Sequence, residues 1–481
     1  MESHPVYIWH VEGYDVARIR EVVSRSMREM GLRPRGRVIV KPNAVIAHPD
    51  LFPHAFTRAE FLDGVIGALE LADAGETVSI AVGERCGITI PTRFAFANAG
   101  YPPVLERRAA RACYFEEEPQ VRVDLDHEGR LRDYLYLPEP LVSSDFVVSC
   151  PKFKSHPWTG VTFALKNWIG IQDDAHRLID HDHALERKIA DLHSALSPDF
   201  IAIDGIVGGK GRMLTPEPVP LDLVICGRNP VAVDATCCRI LGIDPSCVAH
   251  VRLSAERGLG PIDERLIELR GDVTLPEARS RTLSYDDARI PVGRFFAATP
   301  IRAVAGPPPD QVDGDYCWGG CPGAVEEAID IIKQVQPTVY SDVRPMQIVY
   351  GDCRGRYLAP VARTFFFGDC VRFDGRLDGD RVAVESTYVD RGLKDPRRAH
   401  AEGLPFKIAK SYANALLSSR RRWIVVRGCP VSVAEHVLML AIFGGVRNPY
   451  FDARLFFTFV QHWISSRIVS AARRVAERLR R

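Results

Sequence analysis

No apolar run in these 481 residues reaches the roughly 18–20 positions a membrane-spanning helix requires, and the best candidate, Val437 to Gly445, is far too short. The expected protein is soluble or peripheral. The opening Met1-Glu-Ser-His-Pro lacks the basic segment and apolar stretch of a signal peptide, so a cytoplasmic location is expected. Net charge is nearly absent as well: 62 Lys and Arg against 61 Asp and Glu leave +1. The whole-protein field therefore gives no reason to expect nucleic acid as a partner, and local clusters must carry any electrostatic argument. No repeat of fixed period appears, and no C-x-x-C-x-x-C run. Cysteine itself is not scarce, at 12 residues. In a reducing compartment these are not a disulfide framework and read as buried thiols or metal ligands.

The length suggests two or three domains. Strand-like and helix-like patterns alternate through Arg37–Val40, Arg58–Leu71, Thr77–Val82, Phe146–Ser149, Ala184–Leu196, Phe200–Asp204, Leu221–Cys226 and Val231–Leu241. Alternation of this kind predicts a mostly parallel sheet covered by helices over residues 1–275. Residues 276–314, charged and then proline-rich, read as a linker or irregular crossover. A second, smaller α/β unit is expected at 315–450, followed by a basic amphipathic helix at 451–481. That helix carries Leu455, Phe456, Phe459, Trp463, Ile464, Ile468 and Val469 before an arginine-rich end. Docking on the protein's own core is the first expectation for it, and peripheral membrane contact the second.

The densest chemistry is Cys150-Pro-Lys152-Phe-Lys154-Ser-His156 with Thr162, Lys166 and Asn167 close behind, directly after the apolar run Asp145–Ser149. Other strand candidates also run into polar sequence: Lys41-Pro-Asn43, Gly83-Glu84-Arg85 and Asp204-Gly205. Parallel strands share a direction, so these exits open on one rim, where open α/β sheets bind ligands. The expected ligand is a small anionic molecule. Lys41, Lys154, Asn43, Glu84, Asn167, Asp204 and Asp234 are the substrate-binding candidates, and His156, Lys152 and Lys166 the catalytic ones. His156 titrates near neutrality and suits proton transfer; equally, it suits holding the loop by a hydrogen bond. Pairing of some lysines with Glu84, Asp204 or Asp234, merely to hold strand ends together, is the bland alternative.

Val40-Lys41-Pro42-Asn43, Val82-Gly83-Glu84, Cys150 to His156, Thr162 to Gly170, Asp204-Gly205-Ile-Val and Asn229-Pro230-Val-Ala-Val-Asp234-Ala follow one another in an order that closely resembles the family called domain of unknown function 362. The resemblance covers about Val6 to Asp272. Many relatives carry a ferredoxin-like cluster module with closely spaced cysteines, which implies iron–sulfur chemistry by analogy; this sequence departs from that spacing.

Two weaker clusters accompany these motifs. His176, Asp180, His181, Asp182, His183 and His193 read either as a solvated helix start or as ligands of a divalent cation. Gly205 to Arg212 lacks Walker spacing and reads as a mobile loop over the crevice, with Lys210 as an extra anion contact. Cys86, Cys237 and Cys238 look structural, whereas Cys150 adjoins the main site and is a candidate reactive thiol.

Five cysteines of the second unit sit in turn-like sequence: Cys317 and Cys321 in Tyr316-Cys-Trp-Gly-Gly-Cys-Pro, Cys353 and Cys370 each after Gly-Asp, and Cys429 in Gly-Cys-Pro. Strands of one direction would bring Cys353, Cys370 and Cys429 to one rim, with Cys317 and Cys321 arriving from a loop that opens a helix. Thiolates flanked by free backbone amides suit a 4Fe-4S cluster. Zinc is the competing metal, and buried small residues with no metal the third reading. The leading functional expectation is an iron–sulfur protein acting on a small anion, with redox or cluster-assisted chemistry and a redox partner protein. The alternatives are redox-neutral proton transfer or isomerisation on a carboxylate, and a non-catalytic carrier of a metabolite or metal centre.

Overall fold

The computed structural model describes residues 3–72, 75–87, 90–283, 285, 288–308, 316–389, 392–393, 410, 413, 417, 420–448 and 453–479. They divide into two units, Met1–Arg177 with Glu186–Ala288 and Phe457–Arg481, and Leu178–Leu185 with Arg289–Phe456.

The first unit is built on a ten-stranded sheet. Its strands are β1 (His4–His10), β2 (Gly36–Pro42), β3 (Thr77–Glu84) and β4 (Arg111–Tyr114), then, past the small hairpin β5 (Gln120–Asp124) and β6 (Tyr134–Pro138), β7 (Phe146–Cys150), β8 (Lys152–His156), β9 (Gly160–Thr162), β10 (Phe200–Lys210), β11 (Glu217–Gly227) and β12 (Ile267–Gly271). The order is β12-β1-β11-β10-β7-β2-β3-β4, with β8 beside β10 and β9 beside β8. Along the main path only β11 runs against the rest. The central strands are apolar on both faces, as a sheet covered by helices demands: every residue of β7 is buried, and so are Val38, Ile39 and Val40 of β2. Helix Val16–Glu29 starts where the Asp15 carboxylate accepts from the Ala17 and Arg18 amides (2.9 and 3.2 Å), and helix Pro230–Ile240 where Asn229 accepts from Ala232 (3.0 Å). One shared direction therefore delivers the carboxyl ends of β1, β2, β3, β7 and β10 to one rim.

The second unit repeats the device on a smaller scale. β13 (Ile301–Ala305), β14 (Met346–Asp352), β15 (Thr364–Leu377) and β17 (Trp423–Val426) are parallel neighbours in the order β13-β14-β15-β17, and β16 (Asp380–Val384) folds back antiparallel on the far half of β15. Gly351, Gly368 and Gly428, at φ of +66°, +104° and +154°, turn the chain at the end of β14, within β15 and just after β17. Only glycine enters that region without a steric penalty, which is the physical content of the repeated Gly-Asp-Cys and Gly-Cys-Pro turns. Helices Cys321–Lys333 and Val433–Gly444 belong to this unit, the latter opened by a Ser432–Glu435 capping box.

Both units are α/β with mostly parallel sheets, and a helix spans Ala453–Leu479. Two details differ from expectation. The stretch 276–314 is not simply a linker: it holds helix Val292–Phe295 and strand β13, which forms the edge of the second sheet, while positions 309–315 lie outside the described residues. Gly205 to Lys210 is no free loop either; it continues β10 against β11 past an irregularity between Gly205 and Val207.

Candidate functional site

Lysines buried at strand ends must be met by charge or carbonyl oxygen. Lys41, at the end of β2, lies between both Glu84 carboxylate oxygens (3.0 and 2.9 Å), the Asn167 side-chain oxygen (3.2 Å) and the Pro42 carbonyl (3.1 Å). Burial pushes its ammonium down and the Glu84 carboxyl up, and their mutual attraction opposes both shifts. Gly170 leaves the room for this pair, since a Cβ there would overlap Glu84 and stand 2.7 Å from Lys41 Nζ. On β8, Lys152 donates to Asp204 Oδ2 and to the Tyr14 hydroxyl, both at 2.8 Å, and Lys154 donates to the Ala55 and Met213 carbonyls (2.6 and 2.9 Å).

Three other expected site residues act as scaffolding in this geometry. Asp234 accepts from the Ala164 and Leu165 amides (2.8 and 3.0 Å), which fixes the short turn Ala164–Asn167, and burial raises its carboxyl to about 7. Asn167 binds Ser149 Oγ (3.1 Å) as well as Lys41. His156 Nδ1 accepts from the backbone amides of Trp158 and Thr159 (3.1 and 3.3 Å), so that nitrogen is committed to shaping its own loop. Asn43 joins the same rim through its backbone amide on Thr57 Oγ1 (2.9 Å), with its side-chain oxygen buried and unsatisfied.

Lys166 differs from the other lysines. It is only partly buried, and among the described residues no hydrogen bond or ion pair reaches its ammonium. Burial, with the neighbouring charges of Arg177 and Lys154, lowers it to about 7. Nearby polar segments also carry unsatisfied buried oxygens, Thr162 Oγ1 and Gln172 Oε1. An ammonium that no partner reaches among the described residues can receive an anion.

Sequence reasoning missed Tyr14, His54 and Arg58. Tyr14 donates to Asp204 Oδ1 (3.1 Å), the Arg58 amide donates to Asp204 Oδ2 (3.1 Å), and the Arg58 guanidinium lies over the Tyr14 ring (5.7 Å). His54 is half-buried and held down to about 4 by burial and then by the Lys152 and Arg58 charges. None belongs to a motif; each reaches the rim from a loop. Cys150, the expected reactive thiol, is fully buried and pushed up by that burial, so it stays protonated. The expected histidine and aspartate cluster does not gather: His176 bonds Asp173 (2.7 Å), and His193, lowered to about 4 by burial, bonds the Leu165 carbonyl (3.0 Å), whereas 180–183 fall in the second unit.

In that second unit Cys317, Cys321, Cys370, Cys429 and Asp182 line one pocket. Cys321 and Cys370 each place Sγ 3.5 Å from one point above Gly368, and Cys429 Sγ stands 3.6 Å from Asp182 Oδ2. The Val431 amide donates to Cys321 Sγ (3.1 Å), and backbone amides at Gly319 and Gly351 likewise favour the thiolates of Cys317 and Cys370. Burial nonetheless pushes all four thiols up, and for Cys317 and Cys429 the Asp182 charge adds to it. Of the five candidate cysteines, Cys353 is absent from this lining. Cys353 is packed among Val349, Leu358, Phe366, Val371 and Phe373, with its thiol on the Tyr350 carbonyl (3.3 Å). Among the described residues no three His, Cys, Asp or Glu side chains converge on a single metal position.

Residues 38–239 match the family model for a domain of unknown function, DUF362. The matched segment runs from β2 into helix Pro230–Ile240 and so contains Lys41, Glu84, Lys152, Lys166 and Asp204, while the thiol pocket lies outside it. A thylakoid-associated protein of Synechocystis sp., sll1697, is 23% identical over 269 residues, 54% of this chain and 78% of its own length. Among solved structures, the lactate racemase apoprotein of Thermoanaerobacterium thermosaccharolyticum is 11% identical with a TM-score of 0.32, over 73% of this chain and 70% of that one. A Thermotoga maritima protein is 11% identical with a TM-score of 0.33, over 70% and 72%.

Two outcomes follow from the charge arrangement. Lys41→Met should cost about 3–5 kcal/mol in urea denaturation by leaving Glu84 buried and unpaired, and adding Glu84→Leu should recover most of that loss. Lys166 has a folded-state pKa of about 7, below its ordinary 10.5, so the folded chain binds fewer protons between those values and stability rises with pH across that window. Lys166→Met should therefore stabilise the protein at pH 7, and its advantage over the parent should shrink by pH 9.5.

Proposed function

We propose that this is an iron–sulfur protein whose four-thiol pocket holds a 4Fe-4S cluster and whose DUF362 rim takes a small carboxylate or phosphate. The observation that carries the reading is the meeting of Cys317, Cys321, Cys370 and Cys429, from three separate stretches of chain, on one pocket. Amides aimed at the sulfurs favour the thiolate form that a cluster needs. Zinc fits less well, because a tetrahedral ion draws its ligands to about 2.3 Å from one centre, and among the described residues no three candidate ligands converge on one metal position. A cubane is held at its corners, so its thiols stand apart. When bound, such a cluster supplies electron transfer or Lewis-acidic iron.

The anion part of the reading rests on Lys166. Lys41 and Lys152 are neutralised by Glu84 and Asp204 and support the rim, whereas among the described residues no hydrogen bond or ion pair reaches Lys166. An anion beside it would restore the protonated form, so the same side chain binds and can then hand over a proton. Redox-neutral proton transfer on a carboxylate is the second reading, favoured by the near-neutral titration of Lys166.

Anaerobic purification with metal and sulfide analysis tests the first reading: about four iron and four sulfide per chain are expected. Serine at Cys317, Cys321, Cys370 or Cys429 should each strip the iron, and Cys353→Ser should retain it. A colourless protein with stoichiometric zinc would refute the cluster. For the anion, inorganic phosphate and a panel of short carboxylates are titrated against Tm; one of them should stabilise the parent, with no response from Lys166→Met.

A further inference from the structure

Helix Ala453–Leu479 has two opposite faces. On one, Phe459 and His462 meet the Phe94 ring at 5.5 and 6.3 Å, Ser466 is buried, and Arg473 pairs with the Glu118 carboxylate and donates to the Glu117 carbonyl (2.9 Å). That face is anchored on the first unit. On the other, Ile464, Ile468 and Val475 are 46%, 63% and 55% exposed, in line with Phe457 at 72%. Steps of seven, four and seven residues return to one side of an α-helix, so these side chains form one stripe about 27 Å long. The positions between them on that side are Gln461 and Ala471, also exposed.

The composition of the segment indicates what covers the stripe. It contains Arg454, Arg467, Arg473, Arg474 and Arg478 and a single acid, Glu477. A second copy of the helix laid against the first would set arginines near arginines with almost no carboxylate to pair them. An anionic lipid surface offers both an apolar layer for the stripe and negative charge for the flanks. No helix among the described residues is long and apolar enough to cross a membrane, so the helix would lie in the interface.

We propose that this exposed face docks the protein on an anionic phospholipid surface, with Ile464, Ile468 and Val475 inserted below the headgroups and arginines of the same helix paired with phosphates. This stands independently of the thiol pocket and of the anion rim. Sedimentation of the full chain with phosphatidylglycerol-containing vesicles, and with pure phosphatidylcholine vesicles, tests it. Expected are binding to the anionic vesicles that weakens as salt rises, and little binding to the neutral ones. Ile464→Glu with Ile468→Glu should weaken partitioning at least about tenfold, and Arg467→Gln about fivefold, with Tm unchanged. If the double variant loses Tm, the salt dependence and Arg467→Gln decide. Failure of the parent to sediment with anionic vesicles would overturn the proposal. So would a dimer, seen by light scattering, that the double substitution dissociates while vesicle binding stays the same.

Discussion

An ammonium group taken out of water at the end of a strand has to be answered by oxygen, and the first unit is arranged around that requirement. Lys41 on β2 reaches Glu84 on β3, and Lys152 on β8 reaches Asp204 on β10. Each pair joins neighbouring strands, so strand order and ion pairing reinforce each other. The desolvation of such pairs offsets much of their attraction, which makes them poor sources of net stability and good devices for fixing register. Asp234 serves the same end by neutral means, holding two backbone amides so that the Ala164–Asn167 turn presents Lys166. Against this background of satisfied charge, Lys166, whose ammonium meets no partner among the described residues, is the informative exception.

The second unit presents the opposite electrostatic problem. Four thiols and the Asp182 carboxylate share one pocket, and their negative forms repel one another in a setting already unfavourable to charge. Protonation relieves that repulsion; so would a cationic inorganic centre, and the amides that face the sulfurs stabilise the charged form. The glycines at positive φ are the backbone counterpart, because they turn the chain at the end of β14, within β15 and just after β17, beside residues that line the pocket.

Much of this was legible in the chain. The alternation of apolar runs and helical patterns identified both parallel sheets, and polar residues directly after the runs marked the rim. The motifs from Val40 to Asp234 resemble those of DUF362, and the match to residues 38–239 agrees. The roles of individual side chains were less legible. His156 suited either a base or a loop-holding role by residue type, and in the fold its Nδ1 accepts from two amides, while the Cys150 thiol is shut away from water. Tyr14, His54 and Arg58 carried no spacing signal, since they come from loops whose course depends on contacts distant in sequence.

Local sequence thus determined the elements, their direction and the turns, because periodicity, apolar runs and glycine act through neighbours along the chain. Only the tertiary structure decided which lysines are neutralised, which one is not, and that Cys370 lines a pocket while Cys353, after an identical Gly-Asp turn, is buried in a core. Partnership and burial are properties of the folded interior, where atoms from β2, β3, β14 and β15 first come within reach, and no spacing along the chain encodes them.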